Sequence, residues 1–246
     1  MKLIACLNIY NERGNLPRCI EALQAHGIFS IIVVDGRYRG YPGASHYSDD
    51  GTWEWLCLHG EAMGLLVAGP PEGGWPGQEI KRTKYLRMAD TIAEEGDWLL
   101  QVDADEVLVD DLPGKDGLRL REYLAELNAE PPSPTRAQMV YVAMRETYPD
   151  KSPSFWGPWP KLMRWQPGLY YGHEHWDVMK PDGRRLWCLE RQLDAQDIRL
   201  WFHFRFEHQT EKRPDQRKDD KSAYESFRIK ERRLHGSMNP NPITEV

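Results

Sequence analysis

Residues 3–35, LIACLNIYNERGNLPRCIEALQAHGIFSIIVVD, decide the fold class. The apolar run 3–9 is broken by Asn11-Glu12-Arg13-Gly14-Asn15. Pro17 then opens a helical pattern through Ile20, Leu23 and His26, and Gly27 stops it. Proline early and glycine just past the end is the usual asymmetry of a helix. Residues 29–35 (FSIIVVD) form a continuous β-branched run, the pattern of a strand buried on both faces. Strand, helix and strand at this spacing make a βαβ unit with a right-handed crossover. The chain therefore opens as an α/β sheet.

Working outward, residues 36–52 are rich in Gly, Tyr, Ser and Asp and are expected to be a loop. A short helix is predicted for Thr52 to His59 and a third strand for 65–68. Gly69 to Gly77 is a Gly/Pro loop. Gln78 to Glu95 has helical spacing through Ile80, Tyr85, Met88, Ala89 and Ile92, and Gly96 ends it. Residues 98–102 are a fourth strand that runs into Asp103-Ala104-Asp105-Glu106. Beyond it the pattern changes. A helix is predicted for Gly117 to Leu127, and Pro131-Pro132-Ser133-Pro134 is a turn or linker. Short strands follow at 136–145, 160–165, 169–171, 185–189 and 198–206, and 215–235 reads as a charged helix.

Composition narrows the class. At 246 residues the chain suits one domain with at most a modest extension. A net charge of -6 argues against a surface built wholly for polyanions. No run reaches the roughly 18 apolar residues of a membrane span. Lys2 followed by an apolar run broken at Asn8 and Asn11 reads as a first strand rather than a signal peptide, so the expected location is the cytoplasm. Cys6, Cys19, Cys57 and Cys188 have no C-x-x-C spacing and are expected to be buried free thiols. Ten tryptophans are many for this length, and Trp75, Trp156, Trp159 and Trp176 flank loops where flat rings make platforms for sugars or bases.

The chemistry concentrates just past residue 102. Asp103, Asp105 and Glu106 follow the carboxyl end of a buried strand, the edge where open α/β sheets bind ligands. Three carboxylates so close repel one another, and a divalent cation resolves the conflict. Mg²⁺ or Mn²⁺ takes one or two carboxylates plus substrate phosphates. With side chains alternating, Asp103 and Asp105 are expected on one side, Asp103 addressing ribose or metal and Asp105 the metal.

Here the chain resembles family 2 glycosyltransferases of the GT-A fold. Leu3 to Glu12 resembles the family's opening strand and its Tyr-Asn-Glu-like ending, which implies donor contacts from Asn8, Tyr10 and Glu12. Ile31 to Asp35 resembles the second strand, whose terminal Asp faces the nucleobase. Ser48-Asp49-Asp50-Gly51-Thr52 is similar to a turn that normally follows at once. Here residues 37–47 (RYRGYPGASHY) intervene, and Arg37 and Arg39 in that insertion are either phosphate or acceptor contacts or solvated surface. Lys81 to Glu106 resembles the helix, strand and D-x-D-E, with Arg82 where a basic residue often faces the diphosphate.

The resemblance implies an α/β, Rossmann-like mixed sheet flanked by helices, with a strand-rich acceptor half. Residues 1–246 then form a single GT-A domain: 1–110 the nucleotide-sugar half, 111–210 the acceptor half, 211–246 a charged C-terminal helix or tail. It also implies Mn²⁺ or Mg²⁺ and a nucleotide-sugar donor, UDP-sugar favoured. The acceptor stays open between saccharide, lipid-linked sugar and modified nucleic acid.

An inverting transfer needs a general base beside the acceptor hydroxyl. His173-Glu174-His175-Trp176 resembles a His-Glu of the acceptor half, making Glu174 the first candidate and Asp177 the second. Residues 201–208 alternate as a strand does, and His203 resembles a late metal-ligating histidine, with His208 in reserve. Two rivals stand beside this reading. A nucleotidyltransferase would show a glycine-rich loop after the first strand, where residues 10–17 have only Gly14. A non-catalytic nucleotide-sugar-binding module would bind the donor without turning it over.

Overall fold

The computed structural model describes residues 1–109, 120–131, 138–148, 151–172, 177–186 and 198–209. In chain order they form β1 (Leu3–Ile9), α1 (Leu16–Ala25), β2 (Ser30–Asp35), α2 (Thr52–His59), β3 (Leu65–Ala68), α3 (Gln78–Ala89) and β4 (Trp98–Val102). Then come β5 (Glu106–Val109), α4 (Leu120–Ala129), β6 (Met139–Tyr148), β7 (Lys151–Arg164), β8 (Tyr170–Tyr171), β9 (Val178–Met179) and β10 (Ile198–Gln209). Eight strands make one mixed sheet in the order β3-β2-β1-β4-β7-β6-β10-β5, and β8 pairs with β9 in a separate two-stranded piece.

Strands β3, β2, β1 and β4 run parallel, as the opening βαβ pattern requires. Alternation along them divides the core. Leu3, Ala5, Leu7 and Ile9 of β1 face one layer with Leu16, Ile20 and Leu23 of α1, Leu56 of α2 and Leu124 of α4. Ile4 and Cys6 face the other with Tyr85, Leu86 and Ala89 of α3 and Tyr171 of β8. Near-continuous apolar strands thus bury both faces, which is what covering helices on both sides allow.

Two expectations are corrected by the structure. Helix α3 ends at Ala89 rather than Glu95. The Thr91 hydroxyl donates to Met88 O at 2.7 Å, and Asp90 accepts from Trp165 Nε1 at 3.0 Å, so local and tertiary polar contacts replace further turns. Strand β7 begins at residue 151, well before 160, because its prolines disguise it. It joins the middle of the sheet with register shifts against β6, the places where proline is tolerated in a ladder. Of the strand expected at 185–189, Arg185 forms a single bridge with Met179, and 187–189 lie outside the described residues. Among the described residues, no helix is long and apolar enough to cross a membrane. Cys6 and Cys19 are buried as expected, Cys57 is exposed instead, and Cys188 lies outside the described residues.

Candidate functional site

The carboxyl ends of β1, β2 and β4 meet at one sheet edge. Register places Leu7 beside Val102, so Asn8 comes next to Asp103, and Ile9 lies beside Asp35. Past Val102 the backbone turns: Glu106 N donates to Asp103 O at 3.0 Å, and Asp103 N donates to Glu106 Oε2 at 2.9 Å. Ala104 is buried in the core while Asp103 and Asp105 are half-buried. Asp103 opens a tight turn and Asp105 lies within it, so the extended alternation expected for them is corrected. An apolar residue between two carboxylates anchors the turn and leaves both acids at the edge.

Charge compensation at Asp103 comes from two directions. Arg82 of α3 stands 3.6 Å from one carboxylate oxygen and Lys161 of β7 stands 3.7 Å from the other. Both cationic side chains are almost fully buried, whereas that of Asp103 is 40% exposed. Lys161 Nζ also donates to both oxygens of buried Glu106, at 2.6 and 2.9 Å. Burial pushes the Glu106 carboxyl up and Lys161 opposes that shift. For Lys161, burial disfavours the charge, but Glu106 and Asp103 outweigh it and hold the ammonium above its ordinary range. Arg82 follows the same logic. Its burial is outweighed by Tyr85, Asp103 and Tyr171, which hold the guanidinium charged. Among the described residues its Nε and Nη1 are buried without a hydrogen-bond partner, and so is Asn8 Oδ1.

The floor under Arg82 is a polar chain. Tyr85 Oη donates to Tyr171 Oη at 2.6 Å, which donates to Gln101 Oε1 at 2.9 Å, and Arg82 sits over the Tyr171 ring. Strand β8 is held on α3 by Tyr171 N donating to Thr83 Oγ1.

On the β2 side, Asp35 is fully buried. It accepts from Ser48 Oγ at 2.5 Å and Ser48 N at 3.1 Å, and Ser48 Oγ in turn accepts from Asn11 N at 2.8 Å. Burial raises the Asp35 pKa, and the Ser48 contacts and Lys81 partly counter it. The insertion 37–47 is thus a closed loop that returns Ser48 to Asp35. Asn11 and Asp49 bond reciprocally at 2.8 and 2.9 Å, Arg13 N donates to Asp50, and Glu12 N donates to Thr52 Oγ1. Asp49 and Asp50 therefore bind the loop after β1. Asn11 adopts φ 57, within the left-handed region that asparagine tolerates.

The insertion is braced from inside. Arg37 Nη1 donates to Gly43 O at 2.6 Å, Tyr10 Oη to Ser45 O at 3.2 Å, and Trp75 Nε1 to Asp35 O at 2.7 Å. Tyr10 packs edge-on against Tyr41, and a Cβ on Gly43 would lie 2.2 Å from the Tyr10 hydroxyl. Arg37 is accordingly a brace of its own loop, Arg39 is exposed, and Trp75 is a buried strut rather than an open platform. Lys81 is buried beside this loop end and donates to Ile9 O at 2.5 Å. Burial lowers its pKa to about 7, against the pull of Asp35.

The structure thus brings together Asn8, Asp35, Arg82, Asp103 and Asp105 of the residues expected from sequence. Glu12 is next to them in the β1 loop, where it accepts from Asn15 Nδ2 at 2.9 Å. Asp177 lies beyond β8, nearly buried and 3.2 Å from Arg185. Glu174 and Trp176 lie outside the described residues, as does the 215–235 segment. His203 and His208 fall in β10, His203 at an irregularity between Trp201 and Arg205, and nothing of their side chains is described. Among the described residues no three His, Cys, Asp or Glu side chains converge as a metal cage. Lys161 and Ser48 are site residues that sequence reasoning missed as such. Ser48 stood in a quoted motif, whereas Lys161 carried no signal beyond a lone lysine among prolines and tryptophans.

No protein-family model matches the chain, and no curated protein does. Among solved structures it is similar to S. aureus TarS, at 14% identity and a TM-score of 0.52, over 97% of this chain and 41% of that one. A structure of S. aureus TarS 1-349 matches at 17% identity and a TM-score of 0.41, over 63% of this chain and 39% of that one. The chain therefore spans about two fifths of the length of the structures it matches. The arrangement of parallel strands, covering helices and strand-rich second half is a GT-A-like fold.

Proposed function

We propose that this protein is a metal-dependent glycosyltransferase that moves a sugar from a nucleoside-diphosphate sugar, UDP-sugar favoured, to a hydroxyl acceptor. The observation that carries the reading is the Asp103-Ala104-Asp105 turn at the carboxyl end of β4, faced by two buried cations and next to Asn8. A divalent ion fits this donor set. Asp103 and Asp105 are hard oxygen donors at an accessible edge, and Mn²⁺ or Mg²⁺ is usually held by one or two carboxylates with phosphates completing the shell. The ion supplies Lewis-acid stabilisation of the departing diphosphate.

The chain's own residues do the rest. Arg82 presents buried, unpartnered guanidinium nitrogens to the phosphates, and in a site with little water such donors act strongly. Asp35, fixed by Ser48, is assigned to the base side of the donor. Glu174 is assigned as the base for the acceptor hydroxyl in an inverting transfer, with Asp177 second, and His203 as the third metal ligand.

The test is a donor-hydrolysis screen with Mn²⁺ and UDP-, GDP- and TDP-sugars, reading released nucleotide. Release from one donor, abolished by EDTA and by Asp105→Ala, is the expected result. Tight binding with no turnover of any donor, in the presence of candidate acceptors, would replace the enzyme with a binding module. Neither binding nor release from any donor would overturn the reading altogether.

A further inference from the structure

Lys161 belongs to no motif, yet the fold delivers it to the centre of the site. Val140 pairs with Leu162 and Tyr141 pairs with Pro160, so Lys161 is the extra residue of a bulge in β7. Bulges re-aim a side chain, and they gather beside active sites. Here the bulge lies in the middle of the sheet, next to β4, and its lysine reaches Glu106 and Asp103.

The partners of Lys161 say what it is for. Its ammonium bonds both oxygens of Glu106, at 2.6 and 2.9 Å. Its approach to Asp103 is 3.7 Å, and that of Arg82 is 3.6 Å, both beyond hydrogen-bond reach. The two cations thus stand on different oxygens of one half-exposed carboxylate, held there by charge. Arg82 adds two buried nitrogens that lack an acceptor, an arrangement that is costly without a ligand. A ligand that meets both cations carries two neighbouring anionic groups. A single phosphoryl group meets one of the two cations.

We propose that Lys161 is a donor-binding residue which, paired with Arg82, makes the site prefer a nucleoside diphosphate to the corresponding monophosphate. The proposal rests on the nucleotide-sugar reading above and adds the residue that recognises the second phosphoryl group.

Calorimetry with Mn²⁺ tests it, using UDP, GDP and TDP against UMP, GMP and TMP. Wild type is expected to bind one base, the diphosphate the more tightly. In Lys161→Met that preference falls by about tenfold or more, the scale of one charge-assisted contact. The monophosphate affinity stays within about threefold of wild type, and Lys161→Arg keeps the preference. Because Lys161→Met orphans a buried carboxylate, the same comparison is made in Lys161→Met combined with Glu106→Gln, which removes both charges. A preference that survives in the double variant overturns the proposal. So does an equal weakening of mono- and diphosphate, the mark of a merely structural lysine. A wild type that binds none of the six nucleotides overturns the nucleotide reading as well, whereas a normal wild type with unchanged variants overturns this inference alone.

Discussion

Two buried lysines flank the site, one on a helix and one on a strand, and they meet opposite fates. Lys81, on α3 in the parallel half, has the Ile9 carbonyl at 2.5 Å as its short contact, and burial lowers its pKa to about 7. Lys161, on β7 between its antiparallel neighbours β4 and β6, has a carboxylate at 2.6 Å, and its pKa is raised. Both are desolvated to a similar degree. The difference is that a carbonyl dipole recovers little of a lost hydration shell, while a hydrogen-bonded carboxylate at short range recovers it. The helix thus holds a lysine whose pKa burial lowers, and the strand holds one whose charge Glu106 and Asp103 favour beside the aspartates.

The largest break in this comparison comes from Lys161→Met. Removing one member of a buried ion pair strands Glu106, and the expected loss is about 3–5 kcal/mol of stability, read by urea denaturation. A loss near zero would mean that Glu106 takes up a proton at no cost, and the contrast with Lys81 would disappear. Adding Glu106→Gln to that variant is expected to recover most of the loss, because replacing both charges is often close to neutral.

The β2 side answers to a smaller perturbation. Ser48→Ala removes a hydroxyl that both donates to buried Asp35 and accepts from Asn11 N. It is expected to cost about 1–3 kcal/mol, the penalty for a buried polar group left short of a partner. Donor binding should weaken with it, since Ser48 fixes Asp35.

Lys81 gives the most specific effect, one read by pH alone. The folded chain holds it near 7, against an ordinary value of 10.5, so between those values the unfolded chain binds the extra proton. The stability contributed through Lys81 is therefore lowest below about pH 7 and rises as pH climbs toward 10.5. Lys81→Met should remove that rise. Melting temperatures of both proteins across this range check it, and parallel profiles would refute the assignment.

Legibility in the sequence followed the same division. The elements from β1 to β4 could be placed because each rests on local pattern: an apolar run, a helical spacing, a glycine stop. Thr52–His59 and Trp98–Val102 fell at the expected positions. Helix α3 was overrun because Ile92 kept the helical spacing while Thr91 and Asp90 were already making other bonds. Strand β7 was half hidden because proline reads as a loop signal wherever it occurs, even where a shifted register accommodates it.

What the sequence alone determined is the parallel half with its order of elements, and the two aspartates at the end of its last strand. Those features follow from side-chain periodicity and turn residues, which act over a few neighbours. Only the tertiary structure decided that Ala104 would fold the D-x-D into a turn, that Ser48 would return to Asp35 across the 37–47 insertion, and that a bulge would bring Lys161 to Asp103 from residues far along the chain. Compensation of buried charge acts through space, and no spacing along the chain records which strand will supply the counter-charge.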